Sequence, residues 1–330
     1  MMDRKFLPAL SAFAIAAPFG AALPPAFAQP AAYPAKPIKI IVPFAPSGPN
    51  DIIARLVGLK LNDQWGQAVV IENRGGAGGT IGVELASKAP ADGYTLVMGG
   101  SSSLAVAPGL YARLAYEPLR DLTAIANVAF VPYAVAINPH VPAKTVRELI
   151  AVSKTQKGGL SFGSSGSGSM SHLAAELLRS ASGANLLHVP YKGTAPSVTD
   201  VMAGQIDMMI ADYAAFAPYE KVGKLRLIAV AGSRRALVAP QLPTIAESGV
   251  KGYAVDAWFG IVAPAGVPKD IVSKLNGAIV NGLKANDVKQ RFAELGYEAI
   301  GDSPEQFTAT IKTDIEKFGR VIKAAGIKAD

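Results

Sequence analysis

The chain has 330 residues, half of them hydrophobic, no cysteine and a formal charge of +7 at pH 7. That length accommodates two domains of ordinary size, and the missing thiol excludes disulfides, thiol catalysis, thiolate metal sites and a lipid anchor on cysteine. Lysines and arginines are scattered singly, Arg234-Arg235 being the only basic pair after residue 28, so the basic stripe that a nucleic acid requires is missing.

The N-terminus carries Arg4-Lys5, an apolar stretch from Phe6 to about Leu23, and Ala26-Phe27-Ala28. This is the order of a secretory signal with an A-x-A cleavage site. Residues 1–28 are expected to be removed, and the product to be an exported, periplasmic monomer. Pro8 and Pro18 interrupt the apolar stretch and Pro24-Pro25 follows it. No later segment approaches the roughly 18 apolar residues of a spanning helix, which predicts a soluble protein without a direct membrane anchor.

Ile38–Val42 reads as a buried strand, ending in Pro43 to Asp51, after which Ile52, Ile53, Leu56 and Leu59 mark a helix. Pro49 suits the first helical turn, and Asp51 is placed where the dipole favours an acid. A second strand, Ala68–Ile71, leads through Asn73–Thr80 into a helix with Val83, Leu85 and Ala86. Its glycines run Gly76-x-Gly78-x-x-x-Gly82, one residue off the dinucleotide fingerprint. Tyr94–Met98 is a third strand, opening into Gly99-Gly100-Ser101-Ser102-Ser103.

Val131–Ile137 reads as the strand that starts a second unit, and Thr145-x-x-Glu148 as a capping box before a helix. Then comes Leu160–Leu178. A short apolar run breaks into seven residues, Gly163 to Ser169, that are all Gly or Ser, and a helix pattern follows. Strand, loop and helix start would aim backbone N–H groups and a positive dipole end at one point, which attracts an anion. A flexible Gly/Ser linker is the alternative. Leu186–Val189 leads into Pro190-Tyr191-Lys192-Gly193-Thr194 and a helix, and Ile206–Ile210 leads through Asp212 to a short helix around Phe216. Leu225–Val230 closes the unit. Beyond an irregular stretch over 240–252, Trp258–Val262 reads as a strand, Pro268 opens a helix, and Ser303-Pro304-x-Gln306 caps another that runs to about Ala325. The alternation predicts an α/β fold with parallel-rich sheets flanked by helices. The last helices need a sheet to cover, so 29–129 with 232–330 is expected to form one domain and 130–231 an inserted second.

Enzyme signatures are missing: there is no G-x-S-x-G, H-E-x-x-H or G-x-x-x-x-G-K-[ST]. His172 reads as a loop-bracing residue that could also meet an anion, and His188 as a packed core histidine. A Ser169–His172–Asp212 triad has no support in the pattern. Asp212 stands at a strand end and reads equally as a ligand acceptor and as a helix cap. Lys192 reads as an anion contact or a solvated surface charge, and Trp258 as a core or interface aromatic. What remains is Gly/Ser/Thr loops at strand ends in two units, suited to holding an anionic small molecule.

Seven blocks carry a resemblance. They are Ile41-Val-Pro-Phe-Ala-Pro-Ser-Gly-x-x-Asp51, Glu72-Asn-Arg-x-Gly-Ala-Gly-Gly79, Ala89-Pro-x-Asp-Gly-Tyr94, and the Gly/Ser stretch from Ser165 to His172-Leu173. The others are His188-Val-Pro-Tyr-Lys-Gly193, Leu242-Pro-Thr-Ile-Ala-Glu-Ser-Gly249 and Trp258-x-Gly-x-x-Ala-Pro-Ala-Gly266. In this order they resemble the periplasmic solute-binding proteins of tripartite tricarboxylate transporters, the Bug-type receptors, over nearly all of the chain after residue 28. The resemblance implies a two-domain Venus-flytrap fold without cofactor or catalysis. Such a protein captures a small carboxylate (a di- or tricarboxylate, acidic amino acid or aromatic acid) and delivers it to inner-membrane permease subunits. It marks Phe44, Ser47, Gly48, Gly78, Gly79 and Thr80 on one side of the ligand. On the other it marks Ser164, Ser165, Gly168, Ser169, Tyr191 and Asp212, and the strand-end residues Ser101 and Thr194 join the candidate set. One departure is Ser47-Gly48-Pro49, where the family usually has Gly-Gly after Pro46. Ser47 adds a hydroxyl, and Pro49 removes a donor and stiffens the turn. Two other classes fit the same clamp, a ligand-presenting co-receptor for a membrane sensor kinase and an exported hydrolase or lyase, the last distinguished by turnover.

Overall fold

The apolar runs of the sequence become strands in two separate sheets, and the chain crosses between the sheets twice. The computed structural model describes residues 33–327, so the expected signal segment lies outside them. β1 (Ile38–Val42) pairs in parallel with β2 (Val69–Asn73) on one side and β3 (Thr95–Gly100) on the other. After these strands come α1 (Pro49–Trp65), α2 (Thr80–Ser87), and a helix that begins as a π-turn segment, Ser102–Val106, and continues as α3 (Ala107–Leu110). A short α4 (Pro118–Asp121) leads into β4 (Leu122–Val131). β4 joins the sheet through β10 (Ala257–Pro264), which runs antiparallel to both β3 and β4. With β11 (Glu298–Ala299) at the edge, the order is β11-β4-β10-β3-β1-β2.

The second sheet has the order β7-β6-β8-β5-β9. Its strands are β5 (Tyr133–Ile137), β6 (Leu160–Ser164), β7 (Leu186–Pro190), β8 (Met208–Asp212) and β9 (Arg226–Val230), interleaved with α5 (Val146–Thr155), α6 (Met170–Ser182), α7 (Thr194–Met202) and α8 (Tyr213–Lys221). β6 runs parallel to β7 and β8, while β5 is antiparallel to β8 and β9. Each sheet is therefore mixed, because the first strand after each crossing, β5 or β10, runs against the parallel set, while β4 and β9 run with it.

The crossings lie where Pro132 separates β4 from β5 and where Val230 leads out of β9. Ala231 N–H donates to Tyr133 O and Val255 N–H to Ala231 O, each at 2.8 Å, which lays the two crossing segments side by side. The strand expected over Val131–Ile137 is thus the end of one strand and the start of another. Proline has no N–H for the ladder and breaks it there. Several further elements were not legible in the sequence, among them the helix over 102–110, α4 and β11. β4 is a ten-residue apolar run without turn residues to announce it, and a separate helix, α10 (Asn286–Leu295), follows α9 (Lys269–Leu283).

The C-terminal α11 (Pro304–Ala325) starts at a complete capping box on Ser303 and Gln306 and covers the first sheet. Phe307, fully buried, meets the Trp258 ring edge-on at 5.3 Å, and Trp258 Nε1 donates to Asp314 at 2.6 Å. Burying an aromatic of this size contributes about 1.5–3 kcal/mol, so Trp258 is a core residue of the first sheet. Among the described residues, no helix is long and apolar enough to cross a membrane.

Candidate functional site

In both sheets the strand-to-helix turns face one another. From the first come Phe44–Gly48 after β1, Arg74–Gly79 after β2 and Ser101 after β3; from the second come Ser165–Ser169 after β6 and Tyr191–Gly193 after β7. The two sets touch. A Cβ placed on Gly78 would lie 2.7 Å from the carbonyl carbon of Gly168, and one on Gly193 would lie 3.1 Å from Ala45 Cβ. Tyr111 Oη donates to Ser167 O at 2.9 Å across the same seam. Gly78, at φ 63°, meets both a close approach and a left-handed conformation that glycine adopts without strain.

Two adjoining spaces lie between these turns. The inner one is narrow, a cavity of about 20 Å³ in this structure, and is bounded by Gly48, Pro49, Asn50, Ser101, Ser102, Gly193 and Thr194, with Phe44, Tyr133, Met170 and Phe259 as apolar walls. The outer one, a cavity of about 590 Å³, lies between Pro46, Asn73 and Gly75–Gly78 on one side and Gly166, Ser167 and Pro190–Lys192 on the other. Phe44, Ala45 and Ser165 border both.

Three helices begin on the inner space, and none of the three is capped by a side chain. Gly48 is the N-cap of α1 and Gly193 that of α7, while Ser101 precedes the Ser102 helix without a side-chain cap bond. The first N–H groups of a helix have no acceptor inside it. Together with the positive end of the macrodipole they make a seat for an anion. Ser101 and Ser102 are buried, and no ionisable acid or base side chain lines this space apart from the Tyr133 phenol.

The β1–α1 turn is held from behind by Asp51. Its carboxylate accepts from Ser47 N–H, from Arg55 through both oxygens and from Asn73 Nδ2, and Asn73 Nδ2 also reaches Phe44 O. Burial pushes the Asp51 carboxyl up, but the Arg55, Ser47 and Asn73 hydrogen bonds outweigh it and hold it below the usual carboxylate value. Ser47 itself sits at φ 69° and points its side chain to solvent.

The Gly/Ser loop is an ordered turn rather than a linker, and much of its polarity is used internally. Ser164 Oγ lies 2.6 Å from His188 Nε2 and accepts from Gly166 N–H. Ser171 Oγ takes Ser165 N–H and lies within hydrogen-bond reach of the Ser165 and Ser169 hydroxyls. Ser169 caps α6, and Gly168 N–H donates to His172 Nδ1 at 3.1 Å. His172 therefore braces the loop backbone and stacks on His188 at 4.0 Å.

Asp212 is the N-cap of α8, accepting from Ala215 N–H at 2.9 Å, and is buried away from both spaces. Burial raises its carboxyl to about 6, against the opposing pull of the Ala215 and Ala214 N–H groups. With Ser169, His172 and Asp212 each so engaged, the arrangement is not that of a triad. Of the candidate residues, the structure gathers Phe44, Gly48, Ser101, Ser165 and Thr194 on the inner space and Gly78 and Tyr191 on the outer. Tyr191 turns its hydroxyl to Asp200 Oδ2 at 2.6 Å, and burial with that bond pushes it up to about 12. Ser47, Gly79, Thr80, Ser164, Gly168, Ser169 and Asp212 are not part of either lining. Ser47 is exposed and Asp212 caps α8, while Thr80 Oγ1 donates to Ala77 O and Gly79 leaves room for the Phe44 ring. Asn50, Tyr133, Met170 and Phe259 were not expected as lining. Asn50 directly follows the Ser47-Gly48-Pro49 turn and was legible there, whereas Tyr133 and Phe259 are ordinary strand residues until the fold places them.

The family model for the tripartite tricarboxylate transporter family receptor matches residues 53–327. Protein BugT of Bordetella pertussis is 36% identical over 297 residues, 90% of this chain and 91% of BugT. Among solved structures, R. palustris Rpa4515 with adipate superposes with a TM-score of 0.86 at 34% identity, covering 90% of this chain and 99% of that one. MatC from Rhodopseudomonas palustris with bound malate gives 0.84 at 31% identity, covering 88% and 100%.

Proposed function

The chain belongs to the tripartite tricarboxylate transporter receptor family, and from that premise we propose that it captures a small carboxylate between two lobes and delivers it to inner-membrane permease subunits of such a transporter. The family is periplasmic, and its members are solute-binding proteins rather than enzymes. The lobes of this reading are 29–129 with 232–330, and 130–231, moving about the Pro132 and Val230 crossings.

The observation that carries the reading is the convergence of three uncapped helix starts, at Gly48, Ser101 and Gly193, on one space. A carboxylate seated there would accept from backbone N–H groups of α1 and α7 and from the Ser101, Ser102 and Thr194 hydroxyls. The apolar walls take its carbon chain. Helix N-termini hold the charge without a buried arginine that itself needs compensation when the site is empty. The adipate and malate bound by two structural neighbours support an organic acid as the ligand.

A thermal-shift and calorimetric screen against organic acids tests this. A ligand at about 100 times its dissociation constant raises stability by about 2.7 kcal/mol, a shift of a few degrees. Small-angle scattering should show compaction on binding. Consumption of the acid on prolonged incubation would mean an enzyme, and no shift with any acid would sink the proposal.

A further inference from the structure

We propose that Lys192 reads a second negative charge on the ligand, so that the outer space selects molecules with an anionic group at each end. The inference rests on the inner space as the seat of the first carboxylate. Phe44, Ala45 and Ser165 border both spaces, so the two adjoin, and a ligand whose first carboxylate sits at the helix starts would carry its far end toward the outer walls.

Those outer walls are mostly glycine backbone, proline and serine, and Tyr191 has committed its hydroxyl to Asp200. Among the described residues, Lys192 carries the only full charge on the lining of either space. Its ammonium has no ion-pair or hydrogen-bond partner among them, whereas Lys36, Lys39, Lys60 and Lys88 each meet a carboxylate.

The root of the side chain is fixed on both sides. Tyr191 N–H donates to Ser164 O at 3.1 Å, and Gly193 packs against Ala45. A four-carbon stem on a fixed base thus lines the outer space. A lone cation on an open surface gains little from an anion. Lys192 is exposed here, and it is a ligand filling the cleft beside it that would displace water, so that the same charge is screened less and acts more strongly. A ligand ending in a methyl group leaves this ammonium without a partner and loses that contribution, which makes Lys192 a selector and not only an attractor.

The test is calorimetry with succinate, glutarate, adipate, pimelate and suberate, each beside its monomethyl ester, on the wild type, Lys192→Met and Lys192→Arg, with Lys224→Met as an exposed control. In the wild type the best diacid should bind roughly tenfold or more tighter than its half-ester, the factor a charge-assisted contact supports. Lys192→Met should shrink that ratio to about twofold while changing half-ester affinity little. Lys192→Arg should keep most of the ratio, and Lys224→Met should keep it whole. An unchanged ratio in Lys192→Met overturns the assignment, as does a wild type that binds half-esters as well as diacids; in both cases carboxylate capture stands. Binding of none of the acids or esters removes the inner seat and this inference with it.

Discussion

The two sheets build facing turns at the same cleft by opposite electrostatic means. On the first, Asp51 stands behind the β1–α1 turn as an ionised carboxylate, its charge held by Arg55, Asn73 and Ser47 N–H, and the start of α1 is left open. On the second, Asp212 sits inside the cap of α8, buried, with its carboxyl raised to about 6. The same contrast runs through the neutral groups. The Gly/Ser loop spends its hydroxyls on His188, Ser171 and the cap of α6, while Gly48 and Gly193 have no side chain to spend. An abundance of polar side chains in a loop thus does not make it the ligand's seat. At Gly48 and Gly193 the open groups are those where a side chain is missing.

The largest test of that contrast is Gly48→Asp. Gly48 has φ −85° and ψ 172°, and an added Cβ would meet only Ala45 O at 3.8 Å, so aspartate fits and caps α1, with a few tenths of a kcal/mol gained. It also places a fixed carboxylate where the ligand's own would sit. Affinity for the best acid should fall about a hundredfold or more while thermal stability holds or rises. Unchanged affinity would move the anion seat off α1.

Next in size is the pH response of the second sheet. Between the ordinary value of 3.8 and about 6 the folded protein keeps the Asp212 proton and the unfolded chain does not. Stability therefore falls as pH rises through that window, and the cost is fully present above it. Asp212→Asn still caps the helix but does not titrate. Relative to wild type it should gain up to about 3 kcal/mol between pH 4 and pH 7.5. Parallel pH curves for the two proteins would break the comparison on this side.

Asp51→Ala probes the first sheet. Ser47 N–H and Asn73 Nδ2 lose an acceptor, and the expected cost is about 1–3 kcal/mol, read as a lower denaturation midpoint and weaker binding together. The sign with pH is opposite to that of Asp212. The Asp51 carboxyl is depressed, so its stabilisation is present above the unfolded value and lost on acidification. The deficit of the variant should accordingly narrow in acid, and a deficit that widens there would refute the brace.

The smallest effect is expected of Ser165→Ala. Its hydroxyl already lies 3.0 Å from Ser171 Oγ, and a neutral hydrogen bond contributes only about 1 kcal/mol, so affinity should drop roughly tenfold or less. A larger loss than Gly48→Asp causes would return the anion to the Gly/Ser loop.

Local signals alone carried most of the element order, though not β4 or α10, and with it the Gly-rich turns at strand ends and the cap at Ser303, because hydrophobic period and turn chemistry act over a few residues. The family resemblance, not local period, marked Phe44, Gly48 and Ser165, while Ser101 and Thr194 joined them as strand-end residues. Tertiary structure decided what period cannot express. Pro132 became a crossing rather than part of a strand, since only pairing partners reveal where a ladder stops. Asp212 became a cap and Ser164 a histidine partner, since a side chain's role depends on which groups are near enough to satisfy it. Tyr133 and Phe259 became walls of the cleft because chain segments far apart in sequence meet there, and no pattern within either segment contains the other.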